Sequence, residues 1–178
     1  MIEITRTKIR ELPAIFALYR SAFPASERKP FSVIVKMARR GRVDLWTFRW
    51  SGRFAGFAAT VNGQELVMLD YFAVKEDLRG RGLGSAALKK LMEHYGRRGF
   101  FLEIESTFEA AENMPQRRKR KEFYVNCGMM PMGTEADVFG VRMELLGVRC
   151  HLDFEGYRNF YRESLSPWAA EHIKEVQA

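Results

Sequence analysis

The stretch Leu66–Tyr95, LVMLDYFAVKEDLRGRGLGSAALKKLMEHY, limits the fold more than any other part of the chain. Its apolar opening, Leu66–Val74, reads as a strand. Lys75-Glu76-Asp77-Leu78 turns the chain into Arg79-Gly80-Arg81-Gly82-Leu83-Gly84, and an amphipathic helix follows with Leu88, Leu91, Met92 and Tyr95 on one face. A strand, a glycine-rich loop and a helix N-terminus in that order form an anion cradle. Glycines admit close backbone approach, and the first N–H groups of the helix have no partner inside it.

The elements on either side narrow the topology. Ile2–Thr5 alternates as a short strand. Ile9, Leu12, Phe16, Tyr19 and Phe23 recur at helical spacing, with Pro13 admissible only in a first turn, so a helix is expected over Glu11–Ala22. A second helix, Phe31–Arg40, stops at Gly41. Val43–Trp50, Phe54–Val61 and Leu66–Val74 read as a three-strand antiparallel meander, with Asn62-Gly63 as a two-residue hairpin turn. Phe100–Ser106 follows strand and helix, so a right-handed crossover lays it parallel to Leu66–Val74. Thr107–Gln116 reads as a loop, Arg117–Asn126 as a helix, and Met129–Thr134 with Phe139–Leu146 as a hairpin. A last helix is expected over Trp168–Val176. Residues 1–148 read as one domain, with 149–178 as a helical appendage packed on it. The expected class is α+β: a mixed central sheet, mostly antiparallel, with one splayed parallel strand pair and flanking helices.

A length of 178 residues suits a sizeable core, and 47% hydrophobic with 29% charged residues is an ordinary globular balance. The net charge of +7 calls for an anionic partner without choosing one. Cys127 and Cys150 lack metal-ligand spacing and read as structural thiols. His94, His151 and His172 show no ligand pairing, so no metal is expected. No segment is apolar over membrane-spanning length and MIEITRTKIR has no signal core, which implies a cytoplasmic protein without a membrane partner. The run RRKRK, Arg117–Lys121, lacks interleaved stacking aromatics. It reads as a solvated helix face, and nucleic-acid binding is disfavoured. Phe154, Tyr157, Phe160 and Tyr161 share a helical face; packing is the default, with an acceptor cover or a homodimer surface as the other readings.

Three motifs now stand in order: Phe72-Ala73-Val74 at the strand end, Arg79-Gly80-Arg81-Gly82-Leu83-Gly84, and Phe123-Tyr124 followed by Cys127-Gly128-Met129. Together they resemble the GNAT superfamily of acyl-CoA-dependent N-acyltransferases, with its Arg/Gln-x-x-Gly-x-Gly/Ala signature and its Phe-Tyr-x-x-x-Gly-Phe, here with Met in place of the last Phe. The resemblance covers residues 2 to 147. A Rossmann site fails on context, because the loop follows an antiparallel meander.

The resemblance implies acetyl-CoA as donor, with its pyrophosphate on the backbone of Arg79–Gly84 and on Ser85. Its pantetheine would lie beside Phe72, Ala73 and Val74, and the acceptor would be a primary amine. It also implies Tyr124 as the acid that protonates the leaving thiolate. An alkyl amine is mostly protonated at neutral pH, so a base is required too. Glu103 is the first candidate and Asp70 the second, both carboxylates on the two strands beside the cleft; Glu105 shares the parity of Glu103. Glu27 and Arg28 fall where the family lines its acceptor pocket. A non-catalytic acyl-CoA-binding module is the competing reading.

Overall fold

The structure, a computed structural model, describes residues 1–176. The chain divides into two compact units. The first holds residues 1–62 and 69–96, the second 63–68 and 97–178.

In the first unit, β1 (Ile2–Arg6) pairs antiparallel with β2 (Val43–Trp50), and β2 pairs antiparallel with β3 (Arg53–Asn62). β4 (Leu66–Val74) follows β3 in strand order. The helices are α1 (Leu12–Ala22), α2 (Phe31–Arg39) and α3 (Leu83–His94). Pro13 occupies the first turn of α1, where its missing N–H costs nothing. Ile15 and Tyr19 of α1, Phe48, Phe57 and Val61 of the strands, and Leu88 and Leu91 of α3 are buried. Just past α3, the Tyr95 hydroxyl donates to Asp44 Oδ2 at 2.8 Å and lies 2.5 Å from the Thr60 hydroxyl oxygen. These bonds tie the end of the crossover helix to β2 and β3.

In the second unit, β4 pairs in parallel with β5 (Gly99–Glu105) through Leu66↔Gly99, Val67↔Phe100 and Met68↔Phe101. Then come β7 (Val141–Val148), β6 (Met130–Val138) and the edge strand β8 (Ile173–Glu175). The sheet is therefore mixed, with β4–β5 its one parallel pair. Phe100, Phe101 and Leu102 are all buried, as a strand covered on both faces requires. The helices are α4 (Met114–Asn126), α5 (Phe154–Phe160) with a π-helical turn over Tyr161–Leu165, and the short α6 (Pro167–Glu171).

Four local expectations need correction. The last helix stops at Glu171, capped at its start by Ser166, and Ile173–Glu175 pairs antiparallel with β6 instead of continuing it. The N–H and C=O groups of β6 need partners on that side, and Ile173 gains burial by supplying them. Helix α4 begins at Met114, earlier than Arg117, because Pro115 belongs to its first turn. Phe139 belongs to a two-residue turn with Gly140, at φ 53° and 85°, and does not open β7.

The fourth concerns Asn62-Gly63. The connection spans residues 63–65, and the Gly63 N–H donates to the Leu66 carbonyl at 2.9 Å. Gly63 does not adopt the left-handed conformation that a two-residue turn would need; it is required for space. A Cβ there would lie 2.8 Å from Phe160 Cε2 and 3.2 Å from the Leu66 oxygen. Gly63→Ala is expected to lower unfolding free energy by about 1–3 kcal/mol. Urea titration should show that Phe160→Leu in the same chain costs less than the two single changes together; strict additivity would refute the contact.

Candidate active site

The glycine-rich loop and the helix behind it are set by backbone geometry. The Lys75 N–H donates to the Ala55 carbonyl at 2.9 Å, so residues 75, 73 and 71 direct their backbone groups to β3. By alternation, the backbone groups of Phe72 and Val74 face away from β3. The Phe72 ring packs on Phe48 at 5.4 Å, and Ala73 is buried. Gly80 and Gly82 both hold left-handed conformations, at φ 74° and 72°, with open space where a Cβ would stand. Gly82 is the N-cap of α3 and offers no capping side chain; the first turn holds no acidic residue. The N–H groups of Leu83, Gly84 and Ser85 therefore lead a helix whose positive dipole end has neither a capping side chain nor a first-turn acid. Leu83 is buried and anchors the turn, while Gly84 and Ser85 are half-buried.

The two loop arginines have different tasks. Arg79 folds back, and its Nε donates to the Val74 carbonyl at 3.2 Å, bracing the loop on the strand end. Arg81 is exposed, and its guanidinium carbon lies 5.5 Å from the centre of the Trp50 ring. Arg81 is thus the loop arginine not committed to the backbone.

Asp70 is held by an ion pair: Lys29 Nζ lies 2.6 Å from Oδ1 and 2.8 Å from Oδ2. The Lys29 N–H donates to the Tyr71 hydroxyl at 3.1 Å, which donates to the Glu27 carbonyl at 3.0 Å. Tyr19 donates to the Lys29 carbonyl at 2.8 Å. These bonds fasten the α1–α2 connection, including Glu27 and Arg28, to β4. Burial, with the Asp70 charge alongside, pushes the Tyr71 phenol far above its ordinary value.

In the second unit, Glu103 accepts hydrogen bonds from two tyrosines of the C-terminal segment. Tyr157 donates to Oε2, and Tyr161 lies 2.9 Å and 3.0 Å from the two oxygens. Burial and the Glu103 charge raise the Tyr157 phenol well above its ordinary value. Glu105 is engaged by Arg117 at 3.0 Å and by Arg120 at 3.3 Å. Tyr124 lies on α4, half-buried, with its ring 5.1 Å from Phe123. Its hydroxyl has no hydrogen-bond partner among the described residues, and burial pushes its pKa up to about 12. It therefore keeps its proton through the neutral range.

RRKRK is mostly internal wiring. Arg117 is 9% exposed and also donates to the Ser106 carbonyl at 2.9 Å. Lys121 pairs with Glu144 at 2.6 Å, and Arg120 with Glu105 as above. Arg118 and Lys119 are exposed. The sequence reading missed Lys29, Tyr71, Tyr157, Tyr161 and the burial of Arg117. The two C-terminal tyrosines carried the one available signal: a buried phenol on an apolar helical face needs an acceptor. Tyr157→Phe and Tyr161→Phe each remove a donor from Glu103 and are expected to cost about 1–3 kcal/mol in urea unfolding. Pairing either with Glu103→Gln should be less than additive; a neutral tyrosine change would discount the bond.

The sequence model described as the acetyltransferase (GNAT) family matches residues 12–119. Among curated proteins none matches the sequence. A solved structure from Bacteroides thetaiotaomicron, assigned to the GNAT family, is similar with a TM-score of 0.77 at 19% identity, covering 90% of this chain and 96% of that one. The ribosomal-protein-S18-alanine N-acetyltransferase of Escherichia coli has a TM-score of 0.58 at 19% identity, over 85% and 96% of the two chains. The spermidine N-acetyltransferase of Vibrio cholerae, solved with CoA and spermine, has a TM-score of 0.65 at 10% identity, over 83% and 94%. At these identities the structures speak for the fold alone. The family match, which spans more than half of the chain and takes in β4, the glycine-rich loop and α3, decides the rest: this chain belongs to the GNAT family of N-acetyltransferases.

Proposed function

We propose that this enzyme transfers an acetyl group from acetyl-CoA directly to a primary amine. The observation that carries the reading is the uncapped N-terminus of α3 behind Gly80 and Gly82, at the end of a strand whose Phe72 and Val74 backbone groups face away from β3. Such an N-terminus suits a pyrophosphate, and Arg81 can add charge to it. An extended pantetheine amide suits the backbone of Phe72 and Val74. In the proposed reaction the amine lone pair attacks the thioester carbon, and the Val74 N–H stabilises the oxyanion. The C–N bond forms, the C–S bond breaks, and the Tyr124 hydroxyl protonates the departing thiolate. The amine proton goes to Glu103, directly or through water. Asp70, closed off by Lys29, is assigned to holding the α1–α2 connection. The proposed setting is the cytoplasm; no helix among the described residues is long and apolar enough to cross a membrane. Residues 1–148 form the proposed transferase domain, with 149–178 as its C-terminal extension.

The test is thiol release from acetyl-CoA across amino acids, polyamines, aminoglycosides and peptide N-termini. Release with at least one acceptor is expected, and none with any of them would remove the transfer reading. Tyr124→Phe should lower kcat by about 10²-fold or more while acetyl-CoA affinity holds; equal losses in both would end the acid assignment. With Tyr124 raised as it is, kcat/KM should rise as the amine loses its proton and show no alkaline fall below about pH 10. A steep fall near pH 8 would mean that another acid serves. Gly82→Glu brings a carboxylate to the helix N-terminus and should abolish acetyl-CoA binding by calorimetry, whereas Gly82→Ala, strained at φ 72° but uncharged, should weaken it less.

A further inference from the structure

The excess positive charge of this chain sits almost wholly in one short segment. Six of the 29 basic residues and none of the 22 acidic ones lie between Arg28 and Arg42, so those fifteen positions carry +6 of the net +7. Lys29 is neutralised by Asp70. Lys36, Arg39, Arg40 and Arg42 are exposed, and none lies within 4 Å of a carboxylate among the described residues. RRKRK, the denser run in sequence, is the opposite case, with three of its five cations bound to internal carboxylates. A helix C-terminus welcomes one or two cations through its dipole. Four without acids to balance them exceed that need and repel one another.

Their arrangement is directional. Val33 and Lys36 of α2 and Arg40, the residue that caps it, recur at i, i+3 and i+7, with Arg39 beside them, so an aliphatic side chain and three cations share the outward side of the helix and its C-terminal cap. Val33 is 42% exposed. On α1, Phe16 is 41% exposed, and its ring lies 5.2 Å from that of Phe31. Arg20 stands 5.8 Å over the same Phe16 ring. Arginine outnumbers lysine in the exposed cluster, which favours forked recognition of carboxylates or phosphates.

We infer that the outward face of α1 and α2 docks an acidic polypeptide, one whose carboxylates engage Lys36, Arg39, Arg40 and Arg42 while an apolar side chain settles against Val33 and Phe16. A phosphodiester backbone would leave those apolar groups unused. No aromatic of α2 is free to stack a base either, since Phe31 is packed between Phe16 and Tyr19. The inference concerns binding and is independent of acetyl transfer.

The experiment measures anisotropy of a labelled glutamate–leucine peptide against the intact protein at rising salt, with an RNA duplex of matching charge as competitor. The peptide should bind at low ionic strength and weaken as salt is added. Replacing Lys36, Arg39, Arg40 and Arg42 together by Gln, which preserves helix propensity, should reduce affinity about tenfold or more. Arg118→Gln with Lys119→Gln should leave it unchanged. Both variants should keep the parental circular dichroism and acetyl-CoA binding, which separates this result from failure of the transferase reading. No peptide binding at low salt, an equal loss in the Arg118/Lys119 variant, or tighter binding of the duplex than of the peptide would each overturn the inference.

Discussion

Backbone hydrogen bonding along β4 is the constraint on which the rest depends. Every residue of a strand has polar groups to place, and β4 places them differently along its length. Leu66–Met68 run in parallel register with β5, while the Leu66 carbonyl closes the preceding turn by accepting from Gly63. Lys75, just beyond the strand, returns to β3 through Ala55, and that fixes the direction of Phe72 and Val74. A strand with polar groups directed away from its neighbour suits an extended amide ligand. The loop that follows adds N–H groups at the head of α3, and Arg79 keeps the turn closed by taking the Val74 carbonyl. Shape and polarity here come from main chain, with side chains in support.

Charge is handled by the opposite method, side chain against side chain across long sequence gaps. Asp70 meets Lys29, Glu103 meets Tyr157 and Tyr161, and Glu144 meets Lys121. A buried carboxylate without donors is costly, so each of these positions depends on its partners. This accounts for a tail that does more than cover the core: its two tyrosines complete the surroundings of a charge on the central strand.

The architecture was legible from the sequence because its signals are local. Glycines at the head of α3, Pro13 in the first turn of α1 and apolar runs of strand length announced the elements, and their order announced the topology. The glycine-rich loop was legible for the same reason: Gly80 and Gly82 hold left-handed conformations ahead of α3. Errors fell where distant contacts decide. Gly63 looked like a turn residue and is glycine because of Phe160, and Trp168–Val176 looked helical until the open side of β6 claimed Ile173. RRKRK looked like surface because composition cannot show that Arg117 points at Ser106 and Glu105. The candidate carboxylates were found by strand parity, but their partners stand on elements that no local pattern connects to them.

The pairing of Glu103 with residues so far along the chain bears on how the protein is made. Synthesis delivers β5 well before Tyr157 and Tyr161, and β6 before the strand that covers its open side. While the tail is still in the ribosome, the nascent second unit must hold a charged strand without its phenols and a sheet edge without its last partner, an edge prone to pair with other chains. Completion of that unit therefore waits on residues 157–175, and a chain cut near residue 150 would lack both the phenols of Glu103 and the partner of β6.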